Sequence, residues 1–119
     1  MAILGFHFSK VYKEHLIRGI KTATVMPGQH QFNVGEEVQI YVSDKDNLLE
    51  GRDEKRIGKA IIEKVDIKRA RELTNEEAKN CGSKDLDDLK LDLMQWYGTD
   101  DTSVITYIKF KTTIFDNVF

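Results

Sequence analysis

One cysteine, one proline and one tryptophan stand in 119 residues, and each scarcity excludes something. A lone thiol, Cys81, cannot close an internal disulfide, so no disulfide framework holds the chain, and a reducing compartment is the simplest setting. With a single proline there is no Pro/Gly-rich linker, and there is no internal repeat or low-complexity tract. The chain therefore reads as one domain over residues 1–119. No apolar run approaches the roughly 20 residues that span a bilayer. The apolar start, Ala2–Phe8, lacks a basic flank and a cleavage site, so it reads as a strand and not a signal peptide. A cytoplasmic protein with no membrane partner is expected.

The familiar nucleotide loops are also missing: neither G-x-x-x-x-G-K-[ST] nor G-x-G-x-x-G occurs. His7, His15 and His30 have no metal-ligand spacing, so neither a metal nor a cofactor is expected. The net charge is only −2, which argues against wholesale coating of nucleic acid. That charge is unevenly placed. Residues 1–35 carry Lys10, Lys13, Arg18 and Lys21 against Glu14, whereas residues 73–119 carry five lysines against nine acids. A bipolar chain can hold a local basic groove while staying acidic overall.

What is present is an ordinary globular composition, 40% apolar and 32% charged. Ile3–Phe8 alternates as a strand. Ser9 offers an N-cap to a helix over Lys10–Arg18, and Gly19 closes it as a C′ residue. Thr22–Val25 is a short strand, Gly35 sits in a turn, and Val38–Val42 alternates cleanly. Ser43–Lys55 is a long polar connection. Ile57–Val65 is a strand with Ile57, Ile61 and Val65 inward. Thr74-Asn75-Glu76-Glu77 is a capping box opening a short helix that ends near Gly82. Leu86, Leu89, Leu93, Trp96 and Tyr97 share one helical face up to Gly98, which places Trp96 and Tyr97 in the core. Thr102–Phe110 is the last strand, preceded by a turn at Asp100-Asp101. The order β-α-β-β-β-α-α-β excludes a doubly wound parallel sheet. It fits an α+β fold: a small, mostly antiparallel barrel of five to six strands with two or three helices at its rim.

The segment Gly19–Gly28, GIKTATVMPG, is the richest in chemistry. Lys21 follows a helix end and precedes a strand, where its side chain projects over the barrel mouth. Thr22 and Thr24 share one face of that strand. One ammonium and two hydroxyls directed into one groove suit an anion, a phosphate or the polar edge of a base. Arg18 and Lys10 add charge from the preceding helix. A second basic stretch, KVDIKRAR, offers Lys64, Lys68, Arg69 and Arg71 to a nucleic-acid backbone; the alternative is a solvated edge paired with the acidic segment after it. Tyr41, Trp96 and Tyr97 are flat enough for bases to stack on.

GIKTATV resembles the G-x-K-x-x-T signature of the ASCH domain, a branch of the PUA-like superfamily. FNVGEEVQIYV, RIGKAIIEKVDI, ELTNEEAKNCG, LKLDLMQWYG and SVITYIKF resemble the family's later segments in order, so the resemblance covers nearly the whole chain. It implies a PUA-like barrel with a cleft lined by Lys21, Thr22, Thr24 and the residue at Met26, and RNA or a modified nucleotide as ligand. Some bacterial members with the same motif are amidohydrolases acting on N4-acetylcytidine. For that chemistry the resemblance implies Thr24 as nucleophile and Lys21 as base, oriented by a glutamate of the helical insert. Two departures stand out. Many members carry arginine where this chain has Met26, and methionine cannot supply a bidentate fork. The position of the insert glutamate falls within Lys79–Gly82, which holds no carboxylate; Glu76 and Glu77 lie a turn earlier, and Glu77 is the candidate for the role. Three readings follow: an RNA- or nucleotide-binding domain, an amidohydrolase, and an interaction domain with a vestigial cleft.

Overall fold

The structure is a computed structural model that describes residues 5–8, 12–43 and 54–115. Strands β1 (Gly5–Phe8), β2 (Ala23–Pro27), β3 (Glu37–Ser43), β4 (Glu54–Arg69) and β5 (Val104–Ile114) are joined by helices α1 (Lys13–Ile17), α2 (Asn75–Asn80) and α3 (Leu86–Tyr97). The element order is the expected one. The strands form one sheet in the order β1-β3-β4-β5-β2. Among the described strands only the β1–β3 pair is parallel; β3–β4, β4–β5 and β5–β2 are antiparallel.

The sheet curls into a half-barrel. Phe6 on β1 comes within 5.5 Å of Phe110 on β5, centroid to centroid, although two strands separate them in the sheet. Phe6, Phe8, Val38, Ile40, Val42, Ile62, Ile108 and Phe110 fill the concave side, and Leu16 of α1 plugs its end. Full burial of each such side chain contributes roughly 1.5–3 kcal/mol. Alternation along β5 sends Ile105 and Tyr107 to the opposite side, where Ala23, Val25, Leu73, Ala78, Leu89 and Leu93 pack beneath α2 and α3.

Local signals explain most boundaries. Thr74 caps α2, its hydroxyl accepting from the Glu77 amide while the Glu77 carboxylate accepts from the Thr74 amide. Gly19 and Gly98, at φ +71° and +67°, end α1 and α3 in the left-handed region. Asp85 caps α3. The Asp100 carboxylate gathers the Thr102 amide and hydroxyl into the expected turn. At the start of α1 the flanking residue is Tyr12, with no side-chain cap; Ser9 and Lys10 lie outside the described residues, as does most of the Ser43–Lys55 connection.

Two expectations need correction. First, Ile61 points outward, 40% exposed, while Ile57 and Ile62 are buried. The cause is a pair of bulges in β4. Ile40 pairs with Gly58 but Tyr41 with Arg56, and Ile62 pairs with Phe110 but Lys64 with Lys109. Each extra residue flips the inward phase. A side chain at Gly58, beside the first bulge, would overlap the Thr113 carbonyl oxygen. Second, Trp96 and Tyr97 are exposed, because the buried layer under α3 ends at Leu93. Val104, at the start of β5, is exposed, although Ile108 and Phe110 on its side are buried.

Candidate functional site

The Lys21 side chain sits where α1 hands over to β2. The turn after α1 is closed by the His15 carbonyl, which accepts from the amides of both Ile20 and Lys21, and Thr22 donates its amide to the Asn80 carbonyl of α2. This brings the end of α2 against the start of β2. The Lys21 ammonium then donates to the Cys81 carbonyl at 2.7 Å and to the Ala23 carbonyl at 3.0 Å. The Tyr12 and Phe8 rings lie 4.7 and 5.2 Å from it, centroid to nitrogen. It does not project over the barrel mouth: Lys21 is 4% exposed. Two backbone carbonyls and two aromatic faces partner the ammonium inside and offset part of the cost of burying its charge. No hydrogen bond joins it to Thr22 or Thr24.

Burial pulls the Lys21 amine down to about 8, against an ordinary value of 10.5, with Cys81 opposing the change. Burial pushes the Cys81 thiol up to about 11, so it is not a ready thiolate. The Tyr12 hydroxyl is raised, first by burial and then by Asp92, Cys81, Tyr97 and Asp88. His15 completes this neighbourhood: its Nδ1 is buried without a hydrogen-bond partner, close to Gly82.

Beside Lys21 an open groove of about 530 Å³ runs between α1 and β5. Gly19, Lys21 and Thr22 line it on one side, and Lys109, Lys111 and Thr112 on the other. Of its cations, Lys109 and Lys111 are the ones that reach solvent; Lys109 lies 3.5 Å from Glu63, and both side chains are about half exposed. These two lysines are not among the residues that the sequence motifs point to. Their signal is present in KFKTT, where lysines alternate with the buried Phe110.

The other candidates are dispersed. Thr24 is half-buried on the same face of β2 as Thr22, and Met26 packs against the barrel interior. Neither lines the groove. Arg18 is exposed and bonded to Glu14 at 3.0 Å, and Lys10 lies outside the described residues. The Glu77 carboxylate is held by Lys68 at 2.8 Å and by the Thr74 amide. Lys68 also meets Asp66 at 3.0 Å. Burial lowers the Lys68 amine, but the bonds and charges of Glu77 and Asp66 outweigh this and leave it raised. The Arg69 guanidinium donates to the Thr102 carbonyl at 2.6 Å. In the basic stretch Lys64 and Arg71 remain exposed. Tyr41 stacks on His7.

No family model matches this sequence, and no curated protein matches it. Solved structures do. A protein from Enterococcus faecalis V583, of the DUF984 family, superposes with a TM-score of 0.60 at 11% identity, over 98% of this chain and 85% of its own. The ASCH domain from Lactobacillus crispatus JV V101 gives a TM-score of 0.57 at 14% identity, over 92% of this chain and 80% of its own. A mutant of an ASCH protein from Zymomonas mobilis gives 0.54 at 12% identity, over 90% and 66%. The fold is that of these ASCH domain structures, a small α+β domain with a curled five-stranded sheet.

Proposed function

We propose that this chain is a cytoplasmic RNA- or nucleotide-binding domain whose groove between α1 and β5 takes the ligand. The observation that carries this reading is the groove itself: Lys109 and Lys111 stand on one side and Thr22 on the other, with the Lys21 cation just behind. Lysines two apart on a strand stand about 7 Å apart, a spacing that suits consecutive phosphates of an extended single strand. Buried and bound to carbonyls, Lys21 contributes field and shape here, not a direct contact. The fold of the ASCH neighbours supports the same class of ligand.

Fluorescence anisotropy with short single-stranded RNAs tests the reading. Binding is expected to weaken steeply with salt. The double variant Lys109→Ala/Lys111→Ala is expected to lower the slope of log K against log[salt] by about 1.4, two phosphates' worth on a single strand. Absence of binding at low salt, or a slope untouched by the double variant, would overturn it.

One observation favours a second reading, hydrolysis of N4-acetylcytidine to cytidine and acetate. A lysine at about 8 holds a fraction of free amine at neutral pH. With Glu77 engaged by Lys68, the orienting carboxylate would have to come from elsewhere. Chromatographic release of cytidine, lost in Lys21→Ala and Thr24→Ala, is the expected outcome, and no turnover by folded protein rejects that substrate.

A further inference from the structure

The groove between α1 and β5 holds one group at odds with an anionic ligand. Among the described residues that line it, Glu63 alone carries a carboxylate. Its placement follows from the second bulge of β4. Ile62 pairs with Phe110 and Lys64 with Lys109, which leaves Glu63 as the extra residue. Ile62 and Val65, three apart, both pack on the core, so Glu63 and Lys64 both face outward, where strict alternation would send one of them inward. Bulges of this kind re-aim a side chain. Here the re-aimed carboxylate lies 3.5 Å from the Lys109 ammonium, a long ion pair, and stays 45% exposed. The fold gains little from an exposed pair of that length.

We propose that Glu63 reads the sugar of the bound strand, so that the groove selects RNA over DNA. This rests on the groove being the ligand site. An ionised carboxylate only accepts hydrogen bonds; it repels phosphate and takes hydroxyl or amino hydrogens. The neighbouring ammonium decides which. With the two heads 3.5 Å apart, a phosphate oxygen on Lys109 and a hydrogen donated to Glu63 must lie close together on the ligand. A ribose meets that condition, because its 2′-hydroxyl and 3′-phosphate sit on adjacent ring carbons, whereas the base amines lie across the sugar. The 2′-hydroxyl is the group by which a protein tells RNA from DNA, and an acidic side chain accepts from it in dinucleotide sites. Deoxyribose has nothing to donate there and would leave the carboxylate facing phosphate.

Single strands of one adenine–cytosine sequence, made as RNA, DNA and 2′-O-methyl RNA, test this by fluorescence anisotropy at one low salt concentration. RNA is expected to bind about tenfold tighter than DNA, the worth of one hydrogen bond to a charged group. The 2′-O-methyl strand keeps the ribose oxygen but has no hydrogen to donate, and is expected to bind no tighter than DNA. Glu63→Ala is expected to lose the preference: RNA weakens while DNA holds or tightens, since a negative charge has left the groove. Glu63→Gln, equally long and still an acceptor, is expected to keep part of it. A carboxylate that only dilutes the field would, on removal, strengthen RNA and DNA alike, and that outcome overturns the proposal. So does a preference that survives Glu63→Ala. In the native chain, affinity for DNA or for the methylated strand equal to or above that for RNA also overturns it, a comparison that needs no variant to fold. Those results leave the groove reading in place; absence of binding by every strand at low salt overturns both.

Discussion

Helix α2 is pinned at both ends by a lysine from outside it, and the two pins work on different physics. At the first turn Lys68 of β4 binds the Glu77 carboxylate, with Asp66 as a second anion. At the last turn Lys21 binds the Cys81 carbonyl and the Ala23 carbonyl, with aromatic rings beside it. One lysine is matched by full charges and is held charged; the other is matched only by dipoles, and its amine is pulled down to about 8. A buried cation facing dipoles keeps its charge less firmly than one facing a carboxylate. The Lys21 end is therefore the one whose state can change near neutral pH.

The sharpest way to break this contrast is to delete each lysine as methionine. Lys68→Met leaves Glu77, at 9% exposure, as an uncompensated carboxylate, and about 3 kcal/mol of stability is expected to go. Urea unfolding measures it. Adding Glu77→Gln to that variant is expected to restore part of the loss; if it does not, the pair is not what holds the first turn.

Alkaline pH separates the pins next. The folded Lys21 amine releases its proton near 8, whereas the unfolded chain holds it to 10.5. Between those values the unfolded state binds more protons, so the Lys21 contribution to stability rises with pH. At about 1.4 kcal/mol per pH unit the gap amounts to about 3 kcal/mol. Lys68, being raised, contributes stability that is present below its ordinary value and lost as pH climbs through its folded one. Cys81 opposes Lys21: its thiol ionises near 9.0 when unfolded and near 11 when folded, so its contribution falls over that interval. The Cys81→Ala variant is expected to unmask the Lys21 rise between pH 8 and 10.5, and Cys81→Ala/Lys21→Met to lack it. Parallel pH profiles for the two variants would mean that Lys21 is charged throughout.

Much of this frame is legible in the residues, and the site is less so. The capping box at Thr74, the glycine stops at Gly19 and Gly98, and the alternation of Val38–Val42 are short-range signals, and each appears where periodicity puts it. The bulges of β4 are set by pairing partners, so the inward phase of Ile57–Val65 could not be followed past the first one. Trp96 and Tyr97 follow Leu93 at helical spacing, but a helical wheel does not say where the layer beneath stops. The place of Lys21 after a helix stop marks it in the sequence, but nothing marks its acceptors, because one of them is a backbone carbonyl 60 residues away, and every residue owns a carbonyl. The lysine–glutamate strut is legible only as the alternative to a nucleic-acid contact, a basic edge paired with the acidic segment.

Smaller in effect is Lys21→Met at pH 7. It removes two hydrogen bonds and leaves buried carbonyls at Ala23 and Cys81, but it also removes a desolvated charge. About 2 kcal/mol is expected, less than for Lys68→Met, because stranded dipoles cost less than a stranded charge. Hydrogen exchange is expected to quicken at the last turn of α2 and at Thr22, whose amide is bonded to the Asn80 carbonyl. Equal losses from the two lysine deletions would erase the distinction between the pins.

The smallest effect belongs to the attachment between them. Asn80, the last residue of α2, donates its side-chain amide to the Tyr107 hydroxyl at 3.2 Å. That is a neutral bond at the long end of the range, and its loss in Asn80→Ala is expected to cost about 0.5 kcal/mol. The Thr22–Asn80 backbone bond survives the change, so α2 stays docked. If Asn80→Ala instead costs as much as Lys21→Met and quickens exchange over the same amides, the Asn80–Tyr107 contact fastens the end of α2. Lys21 would then be a passenger in its pocket, and its depressed amine would be free to serve chemistry without serving the fold.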